Sequence, residues 1–260
     1  MTASMPSFYE REGSSYRPLV ATRGPWSAEH QHGGPPAALL CGVLETAQPD
    51  HALARLAVQL HRAVPLAPLE VELGPATGGR TVQRVQATLR ADGRVVATAE
   101  GLFVRRTDTT TAVSSPPAFP AGPPDAGTPF VFPFFPWDEG YHQAIELRLP
   151  PGVTWGGPSI ALWARSRCTL LPDTPLTPAQ SAVVLADAQS GFAPPAAVTD
   201  WTFVNPELTV SFARPPRGTW RGLVVRSAPG PEGCALATSA LFDRDGVFGQ
   251  ASQVMVLTPR

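Results

Sequence analysis

Two parts of the chain resemble each other, and this internal repeat limits the folds that the chain can adopt. The segment LAVQLHR at 56–62 shares its leucine, valine and arginine positions with LTVSFAR at 208–214. Further along, TLRADGRVVATAEGLFV at 88–104 is similar to LFDRDGVFGQASQVMVL at 241–257, and each contains an Asp-Gly pair typical of a hairpin turn. Alternating apolar residues predict strands in these segments. We therefore expect two copies of one structural unit.

A predicted helix precedes the strands in each copy. The two helical segments are GPPAALLCGVLETAQ at 34–48 and TPAQSAVVLADAQSG at 177–191. A helix followed by antiparallel strands buries its apolar surface when the sheet wraps around it. Two such units can pair edge to edge, which covers strand edges that would otherwise invite aggregation. The repeat thus predicts two wrapped-helix units whose sheets are continuous.

A stretch rich in proline and glycine separates the two copies. It reads SSPPAFPAGPPDAGTPFVFPFFP and spans 114–136. Because proline removes a backbone donor and is excluded from helix interiors and central strands, we predict a linker here. The predicted domains are accordingly 1–113 and 137–260.

Composition excludes several classes of protein. Of the 260 residues, 43% are hydrophobic and 16% charged, which is typical of a globular protein. The formal net charge of -1 provides no electrostatic attraction for nucleic acid, and no apolar run approaches the roughly 20 residues of a membrane span. The first residues do not resemble a secretory signal, so we expect a cytoplasmic location. The three cysteines are far apart, which argues against a disulfide framework and a zinc cluster, and we expect no metal or cofactor.

The segment HQHGGPPAALL places a glycine pair at the start of the first helix. Gly33 and Gly34 would leave backbone N–H groups open to a negatively charged group at close approach. The alternative is an ordinary helix start. His30 and His32 lie two positions apart with no third ligand nearby, which disfavours a metal site. A place beside a substrate entrance is the other interpretation of these histidines.

Three polar residues in the second copy are candidates for a catalytic site. Asp187 interrupts the apolar run SAVVLADA, and a buried carboxylate is costly unless it is hydrogen-bonded or used. Gln253 lies in a strand whose alternation would turn its side chain to the same face as its apolar second neighbours. Asn205 precedes the strand ELTVSF. Their alternative interpretations are a solvent-facing acid, an exposed amide and a turn before a strand.

These segments resemble the TesB-like acyl-CoA thioesterase II family of double-hotdog proteins. The resemblance rests on HGGPPAALL, VQLHRAVPLAPLEVEL, LADAQSG, NPELTVSFARPP and DGVFGQASQVMVL, in this order, and covers nearly the whole chain outside the linker. It implies an α+β double hotdog, with two antiparallel sheets, each wrapped around a central helix, joined into one sheet. It also implies hydrolysis of an acyl thioester by an activated water.

The resemblance assigns roles to individual residues. It implies that Asp187 is the acid that acts on water and that Gln253 helps to hold that water. The family usually has threonine where this chain has Asn205, whose amide can still hold a water. The remaining expected contacts to substrate are Gly33 and Gly34, which would polarise the thioester carbonyl, and His32.

Only one catalytic set is expected per chain. Counting along the repeat places Pro35 opposite Asp187 and Glu100 opposite Gln253, so the first copy lacks the acid. The expected partner is an acyl-CoA or an acyl-carrier thioester.

Two other functions remain open from the sequence. One is non-catalytic binding of an acyl thioester or lipid. The other is hydration of an enoyl thioester, although no histidine follows Asp187 at the Asp-x-x-x-x-His spacing. A homodimer of the chain is also left open, because hotdog assemblies often pair further.

Overall fold

A computed structural model describes residues 6–112 and 115–260. Its helices are α1 (Gly34–Ala47), α2 (Tyr141–Ala144), α3 (Pro178–Ala186) and α4 (Gln189–Phe192). The strands of the first half are β1 (Tyr9–Glu12), β2 (Ser15–Pro18), β3 (His51–Leu60), β4 (Leu69–Leu73), β5 (Thr77–Gly78), β6 (Val82–Ala91) and β7 (Arg94–Arg105). Those of the second are β8 (Thr128–Phe130), β9 (Ile145–Leu149), β10 (Ser159–Ser166), β11 (Trp201–Val204), β12 (Glu207–Phe212), β13 (Arg221–Pro229), β14 (Cys234–Asp243) and β15 (Gly246–Pro259).

All of these strands belong to one open sheet. Their order is β1-β2-β4-β6-β7-β3-β12-β15-β14-β13-β10-β9-β8, while β5 pairs with β6 and β11 with β15. The sheet curves around α1 and α3, which pack against each other. The prediction of an α+β fold with two wrapped-helix units joined into one sheet is confirmed.

Each central helix is buried on most of its surface. In α1 the buried residues include the first eight, from Gly34 to Cys41, as expected for a helix enclosed by a sheet and a second helix. The start of α3 is fixed by a capping box, in which Thr177 accepts from the Gln180 backbone and the Gln180 side chain accepts from the Thr177 backbone. In the described parts of the chain, no helix has the length and hydropathy needed to cross a membrane.

The two halves meet where β3 pairs with β12. Leu56 lies opposite Val210, and Val58 lies opposite Leu208. All four side chains are buried. Because Leu56 and Leu208 are equivalent positions of the repeat, as are Val58 and Val210, the seam joins the two copies about an approximate two-fold axis.

The two Asp-Gly pairs occupy different positions in their hairpins. In the first hairpin Ala91 pairs with Arg94, so that the Asp-Gly pair forms the two-residue turn. In the second hairpin Asp243 pairs with Gly246, so that the glycine already belongs to the strand. Relative to the last paired residues of its hairpin, the second Asp-Gly pair therefore lies one position later than the first.

This one-position difference changes the counterpart of Gln253. A count from the Asp-Gly pairs gives Glu100, whereas equivalent strand pairings give Gly101: Gln253 lies opposite Ala237, and Gly101 lies opposite Val85. A side chain at Gly101 would collide with the Phe103 ring. The first copy thus has no side chain at the position of Gln253.

The stretch predicted as a linker carries structure of its own. It contains β8, which pairs with β9 at the edge of the sheet, where a proline can be accommodated. Beyond β8 its aromatic side chains turn inward, and Phe132, Phe134 and Phe135 pack against the core. The domain boundaries at 113 and 137 stay a prediction, but the segment between them also contributes to the interior.

Gly249 allows β15 to approach β12 beside a β-bulge. The register of β14 and β15 shifts between Leu241 and Phe242, and Gly249 lies opposite Leu241 and Phe212. A methyl group at Gly249 would lie 2.3 Å from the Ser211 carbonyl oxygen. Only a backbone shift could relieve this contact.

We expect Gly249→Ala to lower the free energy of unfolding by about 1–3 kcal/mol, because the added methyl forces β15 away from β12. Urea denaturation measures this change. Gly79→Ala is the matched control, since nothing lies within 4 Å of its added methyl group. Equal stability of the two variants would contradict the proposed close approach.

Candidate functional site

Asp187 is buried at the point where α3 ends. It is the C-cap of this helix, and only 3% of the residue is exposed. Asn205, just before β12, donates its Nδ2 hydrogen to Asp187 Oδ1 at 2.8 Å. His32, from the loop before α1, places Nδ1 3.0 Å from Asp187 Oδ2. The carboxylate therefore joins residues from both halves of the chain.

Two neighbours compete for His32 Nδ1, and they require different tautomers of the imidazole. His32 Nδ1 also lies 3.1 Å from the Gly34 backbone nitrogen, but one ring nitrogen cannot donate to the carboxylate and accept from an amide together. The Gly34 amide is directed at Nδ1 in this structure. An ionised carboxylate only accepts, so the catalytic hypothesis below requires the tautomer with the proton on Nδ1, in which the imidazole donates to Asp187 and the Gly34 amide does not donate to the ring. His32 Nε2 is neither buried nor hydrogen-bonded to another described residue. This nitrogen is available to a ligand.

The ring of Tyr141 packs against one face of the His32 imidazole. Its ring stacks on His32 with centroids 3.7 Å apart and an interplanar angle of 6°. Its hydroxyl donates to the Val184 carbonyl oxygen at 2.6 Å, which supplies a partner to a carbonyl near the end of α3. Burial, with a smaller effect of the Asp187 charge, raises the pKa of Tyr141 well above its usual value. The hydroxyl therefore stays protonated and donates.

The glycine pair brings the start of α1 against this site. A methyl group at Gly33 would lie 2.8 Å from Asp187 Oδ2, and one at Gly34 would lie 2.5 Å from the Val184 carbonyl oxygen. Both glycines are thus required for close packing. Gly33 lines the adjoining cavity, whereas Gly34 is turned towards α3. The start of α1 therefore lies against the Asp187 carboxylate.

A cavity of about 420 Å³ opens beside Asp187, His32, Gly33 and Asn205. Its remaining wall is mainly apolar, and the aromatic part consists of Trp26, Phe132, Phe134, Phe135 and Phe203. Volumes of this order hold small organic ligands. Four of the six predicted site residues therefore meet at one cavity.

Gln253 lies apart from the cavity lining. It is 1% exposed, on the inner face of β15, and neither atom of its carboxamide has a hydrogen-bond partner among the described residues. Both atoms of the Gln189 carboxamide in α4 are also buried without a hydrogen-bond partner among the described residues. Buried unpaired amides of this kind commonly bind ordered water. The predicted role of Gln253 stays a prediction.

Two parts of the site could not be foreseen from the sequence. Tyr141 lies in a short helix with no recognisable motif, and three of the five aromatic residues of the wall come from the proline-rich stretch. His30 also lines the cavity, as expected for a residue near an entrance. Among residues 6–112 and 115–260, no three histidine, cysteine or acidic residues are grouped so that they could hold a metal ion.

Sequence comparison matches both halves of the chain to acyl-CoA thioesterase domains. Residues 22–104 match the acyl-CoA thioesterase N-terminal domain, and residues 116–257 match the acyl-CoA thioesterase C-terminal domain. No curated protein sequence matches the chain.

Solved structures share the fold over nearly the full length. A candidate thioesterase from Novosphingobium aromaticivorans DSM 12444 has a TM-score of 0.77 at 19% identity, covering 96% of this chain and 98% of its own. The acyl-CoA thioesterase II TesB2 of Mycobacterium marinum has a TM-score of 0.69 at 17% identity, covering 97% and 96%. The tesB protein of Mycobacterium avium subs paratuberculosis has a TM-score of 0.69 at 18% identity, covering 96% of each chain.

We expect Tyr141→Phe to lower the free energy of unfolding by about 1–3 kcal/mol, because the Val184 carbonyl loses its buried donor. Chemical denaturation followed by circular dichroism measures this loss. Tyr16→Phe serves as the control, since the Tyr16 hydroxyl has no hydrogen bond to a described residue. A loss no larger than that of the control would show that the Tyr141 hydroxyl does not support the end of α3.

Proposed function

Because the chain belongs to the acyl-CoA thioesterase family, we propose that it hydrolyses an acyl-CoA thioester with a water activated by His32 and Asp187. The observation that carries this proposal is the buried Asp187 carboxylate, which contacts His32 Nδ1 at 3.0 Å beside an apolar cavity. A carboxylate that orients one nitrogen of an imidazole leaves the other free to transfer a proton.

In the proposed reaction, a water attacks the thioester carbonyl carbon and gives its proton to His32 Nε2. A carbon–oxygen bond forms, and the carbonyl oxygen becomes an oxyanion. When this intermediate collapses, the carbon–sulfur bond breaks and the departing sulfur takes the proton from Nε2. The products are a carboxylic acid and a thiol. Asp187 keeps its charge and stabilises the imidazolium that forms between the two proton transfers.

Asp187 is better placed to orient His32 than to take the proton itself. One of its oxygens accepts from Asn205, the other lies 3.0 Å from His32 Nδ1, and its side chain is 2% exposed. Asn205 Nδ2 also lies 3.3 Å from the Glu207 carbonyl oxygen, so the amide is held from two sides. The threonine of the family is thus replaced by a residue that can still donate to Asp187.

The start of α1 is suited to the developing negative charge. Gly33 lines the cavity and has no side chain to block the approach of a carbonyl oxygen. A backbone N–H group at a helix start is an effective donor to an oxyanion. We therefore assign this role to Gly33, and we assign Gly34 to the packing of α1 on α3. The aromatic side of the cavity accepts the acyl group.

We expect Asp187→Asn to lower kcat for acyl-CoA hydrolysis by about 10²–10⁴-fold, because His32 loses its charged partner. His32→Gln should have an effect of the same order, and the double variant should be little worse than either single variant, since the two residues act as a unit. Release of free thiol from purified protein measures the rate.

Asp50→Asn is the control for these variants, because Asp50 is exposed and does not line the cavity. Circular dichroism and the thermal midpoint confirm that each variant is folded. A folded Asp187→Asn protein with the wild-type rate would refute the proposed site.

We expect Asn205→Thr to keep the rate within about tenfold of the original, because a hydroxyl can replace the amide donor to Asp187. Asn205→Leu has nearly the same size but no donor, and we expect it to lose about 100-fold in kcat. The same thiol-release assay compares the two variants. Equal losses would show that the donor is unimportant and that shape alone matters.

The contact of Asp187 with His32 also favours a second candidate, hydration of an enoyl thioester. The sequence offered no histidine at the expected spacing, whereas the fold brings one from the other half. Hydration removes the carbon–carbon double bond and leaves the thioester intact, so an enoyl-CoA distinguishes the reactions. Loss of enoyl absorbance without free thiol supports hydration, and binding without either change supports a passive carrier.

A further inference from the structure

The contact between α1 and α3 is close over about two turns of α1. A methyl group at Gly34 would lie 2.5 Å from the Val184 carbonyl oxygen, and one at Gly42 would collide with the Gln180 carboxamide. Between these two glycines, the Gln180 Nε2 atom donates to the Ala38 carbonyl oxygen at 3.0 Å. Over this described stretch the two helices therefore leave no room for an acyl chain to pass between them.

The inner side of the catalytic cavity is closed by aromatic rings. Phe132 lines the cavity and stacks on Phe192, with centroids 5.4 Å apart and an interplanar angle of 14°. Phe192 is 1% exposed and belongs to the core. A methyl group at Gly191 would lie 3.3 Å from Phe132 and 3.4 Å from Phe134, so these rings pack directly on α4. An acyl group that enters from the mouth of the cavity must therefore end at this wall.

The rings of the wall are held in place by contacts with one another. Trp26 stacks on Phe134 at a centroid distance of 6.1 Å and meets Phe203 edge to face at 5.2 Å. Phe134 also stacks on Trp155 at 6.0 Å, and the Trp155 indole nitrogen donates to the Gly191 carbonyl oxygen at 2.8 Å. Aromatic pairs favour offset-stacked and edge-to-face arrangements, which add to the effect of apolar burial. A flat ring that enters the cavity can extend this set of contacts.

The apolar surface at the mouth of the cavity is in contact with water. Val204 and Val256 line the cavity, yet they are 50% and 52% exposed. A chain too long for the cavity would pass these residues and stay largely hydrated. Because apolar groups contribute to binding only when they leave water, its additional methylene groups would add little affinity. The cavity therefore favours a short acyl group.

We propose that the acyl group of the substrate is short and carries an aromatic ring, as in an arylacetyl thioester. The inference rests on the proposed function and adds the substrate class to it. The aromatic ring of the substrate lies among Trp26, Phe134 and Phe203, and the thioester carbonyl lies at His32 and Gly33. Contacts between rings distinguish this class from aliphatic acyl groups of similar volume.

The test compares phenylacetyl-CoA with cyclohexylacetyl-CoA, which have the same carbon connectivity and differ only in whether the ring is aromatic. We expect kcat/KM to be about 3- to 10-fold higher for the phenyl compound, because only a flat ring makes the stacked and edge-to-face contacts. Burial alone would favour the bulkier cyclohexyl group. Between octanoyl-CoA and hexadecanoyl-CoA we expect kcat/KM to rise by less than about 3-fold, since the added methylene groups stay in water. Release of free thiol measures all four rates.

Phe134→Leu should reduce the preference for the phenyl compound to less than about 2-fold, since it removes the ring that stacks on Trp26 and Trp155. Phe212→Leu is the matched control and should keep the preference, because Phe212 stacks on Phe248 and does not line the cavity. Circular dichroism checks that both variants are folded, and the rates of the original protein decide the question if one is not. Equal kcat/KM for the phenyl and cyclohexyl compounds, equal preference in the two variants, or a steeper rise with chain length would overturn the proposal.

Binding of unreactive analogues separates failure of this inference from failure of the proposed function. In the phenylethyl and cyclohexylethyl thioethers of coenzyme A, a methylene group replaces the thioester carbonyl, so neither compound can be hydrolysed. If the protein hydrolyses no thioester, tighter binding of the phenylethyl thioether in calorimetry still supports the aromatic site. Equal affinity for the two thioethers would reject it.

Discussion

The pairing of β3 with β12 is the interaction on which the rest of the structure depends. It fixes the register of the two halves through a buried set of aliphatic side chains. It also sets the distance between α1 and α3, which pack on the same side of the continuous sheet. The loop before α1 and the end of α3 belong to different halves, so His32 meets Asp187 only because this seam is in register. A shift of one residue would turn the buried side chains outward.

The Asp187 carboxylate is costly to bury, and its surroundings offset that cost locally. Asn205 donates to one carboxylate oxygen and His32 Nδ1 lies 3.0 Å from the other, while the N-terminus of α1 presents its positive end. Tyr141 contributes indirectly, since its ring lies flat on the imidazole and its hydroxyl supports the end of α3. The same contacts that make the charge tolerable therefore also orient the imidazole towards the cavity.

Much of this architecture could be predicted from the sequence, because the repeat and the alternation of apolar residues are local properties. The contact of His32 with Asp187 could not, since no local pattern links the loop before α1 to the end of α3 in the other half. The aromatic wall was missed for another reason: proline indicates where regular structure stops, but not where the side chains pack. The count that matched Gln253 with Glu100 was wrong by one position, because the two Asp-Gly pairs stand differently in their turns.

The approximate two-fold axis at the seam has a consequence for how such a molecule can change over time. Two separate copies of one unit could make the same pairing, but every substitution would then appear twice and both copies would need to tolerate it. A covalent connection keeps the partners together at any dilution and lets each accumulate its own substitutions. Gly101 in one copy and Gln253 in the other show that the copies have diverged in this way: one unit can lose a polar side chain that its twin keeps.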